Sequence, residues 1–161
     1  MSRKNQRKKF VPFYTLMDEM LAHPANPMHP AKADFQLAVM RLGLEAMRSA
    51  ESPAAEHWRV VVDCVNLMEK LVDMGEIEDE GGWIADAFHA LADSARRSQA
   101  GEPIRLTPAG LEAVEAALEG YELVLRERPE RVVIRAHRLV EKAVLDVRRG
   151  KRVPGAQVVG L

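Results

Sequence analysis

Arg131, Arg135, Arg138, Lys142 and Arg149 stand at successive offsets of 4, 7, 11 and 18 from the first of them. At about 100° per residue, a helix gathers them into a sector of roughly 60°. Val132, Val133, Ala136, Leu139, Val140, Ala143, Val144 and Val147 point to the other side and read as core. An ordered line of cations must meet water, an acidic partner or phosphate. Along a helix face it can follow a phosphate backbone, and Arg3, Lys4, Arg7, Lys8 and Lys9, with the run from Arg148 to Arg152, extend that nucleic-acid reading. The preceding helix offers an alternative, because Glu112, Glu115, Glu119 and Glu122 also share helical offsets. In an antiparallel hairpin Glu122 falls level with Arg131 or Arg135, Glu119 with Arg135 or Arg138, and Glu115 with Arg138 or Lys142. The ridge would then hold the hairpin in register through flanking ion pairs, each worth about 0–1 kcal/mol when exposed.

Other chemistry has thinner support. His23 and His29 flank a proline loop, His57 and His89 lie on separate helices, and His137 borders a core face. No pair has a metal-binding spacing, and Cys64 sits in an apolar stripe, so no metal centre is expected. Glu76, Glu78, Asp79 and Glu80 lack the alternating twelve-residue loop of a calcium site and read as a solvated connector or an acidic partner surface. No glycine-flanked serine elbow occurs, and Gly81-Gly82 runs into Trp83 without a phosphate loop's lysine. Glu56-His57 beside Trp58, with Asp63 two turns on, is the nearest thing to an acid–base pair; it would need a polar pocket among helices two to four. The expectation is a protein without catalytic residues, cofactor or metal, and no small-molecule ligand is evident.

A chain of 161 residues forms one domain by prior and buries about 68–70% of the surface its unfolded form exposes. The lone cysteine cannot form an internal disulfide. No run approaches the ~18 apolar residues of a membrane span, and Pro12, Tyr14, Asp18 and Glu19 interrupt what would be a signal peptide's apolar region. These features predict a cytoplasmic protein. The formal net charge of −1 conceals segregation: residues 1–10 carry +5, 11–50 carry −1, 51–95 carry −9 and 96–161 carry +4. Local fields therefore say more about partners than the total does.

Periodicity divides the chain into a basic arm (1–9), a helical domain (10–149) and a tail (150–161). Phe13, Leu16, Met17, Met20 and Leu21 share a face of a short first helix within 10–22, and the three prolines of 23–30 impose an extended loop. A second helix over about 31–48 shows the stripe Phe35, Val39, Leu42 and Ala46, widened by Met40, Leu44 and Met47. Ser52-Pro53 marks the start of a third, which is apolar on two stripes and leaves only Arg59, Asp63, Asn66, Lys70 and Asp73 as a polar strip. It reads as the central helix, stopped by Gly75. A fourth helix follows over 83–98. Thr107-Pro108 starts a fifth, with Leu111, Val114, Leu118, Tyr121 and Leu125 as a heptad seam. The joint at 126–130 leads to the ridge helix, which Gly150 stops. The fold class is all-α, a single-domain bundle of about six helices.

Leu106–Gly110 (LTPAG) resembles the strand-to-helix passage of winged-helix DNA-binding domains, although no alternating wing hairpin follows. The stretches 10–26 (FVPFYTLMDEMLAHPAN) and 129–155 resemble a family of short helical proteins carried by proteobacterial phages, plasmids and integrated elements. That resemblance implies a small accessory protein acting by binding. The combined expectation is a non-catalytic interaction protein, engaging a protein partner or itself through the heptad seam or a methionine-rich face. Nucleic-acid association through the ridge and basic ends is the alternative.

Overall fold

Apolar side chains cover almost the whole circumference of the third helix, and the other elements close around it. The structure, a computed structural model, describes residues 11–49 and 53–151. The basic residues of the arm, Ser52 and the tail beyond Lys151 lie outside the described residues. Six helices follow in order: α1 (Leu16–Leu21), α2 (Pro30–Ser49), α3 (Ala55–Asp73), α4 (Trp83–Gln99), α5 (Pro108–Glu127) and α6 (Glu130–Arg148). Among the described residues there is no strand, only an isolated bridge between Pro27 and Pro129. The fold is an all-α bundle. None of its described helices is long and apolar enough to cross a membrane.

α3 packs against α2, α4, α5 and α6. Trp58, Val61, Val65, Leu67 and Leu71 are sealed from solvent, and so is Asn66, which the sequence places on the polar strip. The start of α3 differs from expectation: Ala54 is the N-cap and offers no side-chain hydrogen bond. Other punctuation falls as the sequence predicts. Thr107 Oγ1 accepts from Gly110 N at 3.0 Å, which satisfies an orphan amide of α5. Gly75 and Gly150 end α3 and α6 at φ of 71° and 72°, where a β-carbon would be strained. α4 has Gly82 at its N-cap, so Asp79 supplies the acceptor instead, taking Ile84 N at 3.1 Å and Ala85 N at 3.0 Å. The acidic connector is therefore partly a helix cap.

α1 and α2 depart most from the periodic reading. α1 is only six residues long and buries none of them; Phe13, Leu16, Met17, Met20 and Leu21 are all exposed. α2 turns its other side inward, with Ala33, Leu37, Met40 and Gly43 buried and Phe35 and Leu42 each 69% exposed. Small residues decide the orientation. A β-carbon on Gly43 would lie 3.0 Å from the His57 carbonyl oxygen, so α2 and α3 approach more closely than a face carrying Phe35 and Leu42 allows. Four ion pairs fix the same setting: Arg41–Glu122 at 2.7 Å, Asp34–Arg126 at 2.6 Å, Lys32–Glu130 at 2.9 Å, and Arg48–Glu115. The α5 seam faces inward too: Val114, Leu118, Tyr121 and Leu125 are buried within the chain, which removes the seam as a surface for self-association.

The close crossing yields a direct test. Gly43→Val should lower the unfolding free energy by about 2 kcal/mol, because the added methyls must push α2 off α3. Urea denaturation would measure it, and an unchanged midpoint would contradict the packing described.

Candidate binding cleft

The ridge of α6 is divided by the fold. Arg131 donates to the Ala22 carbonyl through Nε at 3.2 Å and Nη2 at 2.9 Å, and to the Met20 carbonyl at 3.1 Å. It thereby satisfies backbone acceptors at the end of α1. Arg138 pairs with Glu19 of α1. Arg135, Lys142 and Arg149 stay exposed, and their side chains have no ion pair or hydrogen bond among the described residues.

The expected α5–α6 hairpin does not form. Glu115 pairs with Arg48, and Glu122 with Arg41 and, at 3.6 Å, with Arg126. Glu112 and Glu119 make no ion pair among the described residues. α6 leaves the Pro129 joint toward α3 and α1, with little contact to α5. Magnitudes explain the choice. Burial of Val133, Ile134, Ala136, Val140 and Ala143 is worth about 1.5–3 kcal/mol for each larger side chain, more than any exposed ion pair provides. Ile134 joins Tyr14 and Ala22 in a small separate cluster. Leu139 and Val147, which read as core, are exposed.

Where α6 crosses α3, a cleft of about 490 Å³ opens between α2, α3 and α6, with Phe13 at one edge and Tyr121 of α5 behind. Valines from three helices, Trp58, Phe13 and Phe35 make its walls. Its polar groups are few: Gln36, Arg59, Asp63, Cys64, Tyr121, His137, Glu141 and Arg148. Glu141 Oε1 accepts from Phe13 N at 2.8 Å, which ties the segment before α1 to the edge. Aromatic contacts reinforce this tie: Phe13 and Tyr14 meet edge to face at 4.8 Å, and Tyr14 lies 5.4 Å from the His137 ring. Behind the wall, Gln36 bridges two tyrosines, donating to Tyr14 Oη at 3.0 Å and accepting from Tyr121 Oη at 3.1 Å.

The electrostatics are unusual for so small a protein. Burial, followed by the charge of Lys32, pushes His137 down to about 4, and its Nε2 is buried without a hydrogen-bond partner, as is Nε1 of Trp58. Asp63 is pushed up to about 6, first by the desolvating surroundings and then by Glu141, with Arg59 and Arg148 pulling the other way. The residue keeps surface open to solvent, so water screens much of that effect. Burial and the neighbouring Asp63 push the Cys64 thiol up to about 12, which leaves it protonated and a poor nucleophile.

Glu56 and His57 are exposed on α3 outside the cleft walls, so the pairing noted in the sequence is not assembled. Among the described residues no three His, Cys, Asp or Glu side chains are placed to hold a metal ion. Leu106–Gly110 enters α5 from a loop rather than from a strand. Sequence reasoning missed the cleft because Phe13, Phe35 and Val39 read as core. No protein-family model, curated protein or solved structure matches the chain.

His137 makes stability depend on pH in a definite direction. Between pH 6.5 and about 4 the unfolded chain binds the histidine proton and the folded chain does not, so this group's contribution is lost as pH falls. Asp63 acts oppositely between 3.8 and about 6, where the folded state holds the extra proton. Comparison with a variant separates the two. His137→Gln should gain about 2 kcal/mol on wild type between pH 7 and pH 4, measured by denaturant titration at each pH; parallel curves would contradict a buried neutral imidazole.

Proposed function

We propose that the chain is a non-catalytic interaction protein and that the outer face of α2, continued by Phe13, is its binding surface, occupied by a second copy of the same chain. The supporting observation is an apolar face without free charge. Phe35, Val39 and Leu42 lie at i, i+4 and i+7 on the solvent side of α2, and exposed Phe13 borders the same cleft as Phe35 and Val39. Contiguous apolar surface of this kind marks interaction sites. All five ionisable residues of α2 (Lys32, Asp34, Arg41, Glu45 and Arg48) are engaged in ion pairs within the chain. A two-fold interface sets a patch against itself, so unpaired charge there would repel its own image. This face carries none. The resemblance of 10–26 and 129–155 to accessory proteins of mobile elements is consistent with a role exercised by binding.

Sedimentation equilibrium provides the test. Wild type should be dimeric at micromolar concentration, and Phe35→Glu with Leu42→Glu should be monomeric with an unchanged helical circular-dichroism spectrum, since neither side chain is buried within the chain; its melting temperature should equal that of wild type diluted to the monomer. A wild-type monomer at several hundred micromolar would overturn the proposal.

The second reading, nucleic-acid association, is favoured by one feature. Arg135, Lys142 and Arg149 repeat every seven residues on an exposed line, about 10 Å apart, and their charges are unspent; the basic arm lies outside the described residues. Under this reading a 30-base-pair duplex should bind with an affinity that falls steeply with salt. Arg135→Ala with Lys142→Ala and Arg149→Ala should lower the magnitude of the slope of log K against log salt by about 2–3. Binding that is absent at 50 mM salt, or a slope that the triple change leaves alone, would count against it.

A further inference from the structure

The cleft has features that the docking of a second copy does not explain. Its volume, about 490 Å³, lies within the range of small-molecule sites, which are mostly apolar with a few convergent polar groups. Two carboxylates, Asp63 from α3 and Glu141 from α6, lie among its walls, and neither has an ion pair among the described residues. The aromatic rings of Phe13, Phe35 and Trp58 line the same space. We infer that this cleft binds a small apolar organic amine, its hydrocarbon or aromatic body among the valines and rings and its ammonium group at the Asp63–Glu141 pair.

Charge selects the amine over its neutral and anionic counterparts. Both carboxylates line the cleft where α6 crosses α3, and the charge of Glu141 repels that of Asp63; an ammonium held by both removes the repulsion and gains two charge-assisted contacts. The groups facing Asp63 are Glu141, Arg59 and Arg148, and the pull of Glu141 on it exceeds that of either arginine. Burial first and Glu141 second make Asp63 take up a proton more readily than an ordinary aspartate does, and an ammonium supplies the same positive charge at the same place. The aromatic rings favour a cation as well, because the face of a ring attracts positive charge. Imidazolium competition is absent, because burial keeps His137 neutral.

Three probes with one carbon skeleton test this: 4-phenylbutylamine, 4-phenylbutanol and 4-phenylbutanoate, titrated into the full chain. Binding is read from the two tryptophan indole N–H resonances, since Trp58 lines the cleft and Trp83 lies at another surface. Phe13 and Phe35 line the cleft and also belong to the α2 face, so the titration is run in the Leu42→Glu background, which alters no cleft residue and opposes pairing. The amine should shift the Trp58 resonance saturably, at least tenfold more tightly than the alcohol, with Trp83 unmoved. The double change Asp63→Asn with Glu141→Gln should bring the amine down to the alcohol's affinity while the alcohol's own binding holds. A carboxylate probe that binds as tightly as the amine, an amine affinity that survives the double change, or no saturable shift of Trp58 up to 10 mM amine (about 2.7 kcal/mol of binding free energy at most) would each overturn the inference.

Discussion

Helix α3 presents apolar side chains in nearly every direction, and water has to be removed from all round it. No single neighbour can do that, so α2, α4, α5 and α6 all pack against it. The other features follow from this demand. α6 is drawn onto α3 rather than back along α5, which leaves the α5 glutamates to find cations elsewhere. α2 lies close against α3 at Gly43, so Phe35 and Leu42 face outward. At the α3–α6 crossing the large side chains leave a cleft, which the segment carrying Phe13 borders.

Ion pairing adjusts to this packing and does not direct it. The cationic line on α6 and the glutamate line on α5 match in spacing, yet the fold keeps them apart. α2 supplies Arg41 and Arg48 to Glu122 and Glu115, and α1 supplies Glu19 to Arg138. Each such pair contributes little when exposed, and together they are outweighed by the apolar face of α6. Their placement bears on the proposed function. Because the charges of α2 are neutralised within the chain, its outer face is apolar without being electrostatically marked, a combination that suits association between identical copies.

The number of helices, their order and the identity of α3 as the centre were legible in the sequence, because caps at Thr107, stops at Gly75 and Gly150 and the 3.6-residue period are local signals. The side that α2 buries was not legible. The stripe of Phe35, Val39, Leu42 and Ala46 was its evident apolar face, and the choice rested on Gly43 meeting the backbone at His57, a contact that periodicity within α2 does not reveal. The partners of the ridge were illegible for the same reason: the spacing of two charge lines says that they can pair, not that their helices adjoin. Cys64 and His137 were placed rightly against the core. The cleft required the α3–α6 crossing to be known before Asp63 and Glu141 could be seen as neighbours.

An inter-copy distance is the sharpest test of the proposal that the apolar outer face of α2 is covered by the same face of a second copy. Cys64, the lone cysteine, is buried and its thiol is unreactive, so a spin label at Ala38→Cys on the exposed side of α2 reports one site in each copy. Helices packed across an interface have axes about 8–10 Å apart, so with the label arms a dimer paired through α2 should give a single narrow distance below roughly 30 Å. A signal without dipolar modulation, or a distance well beyond that range, would contradict it.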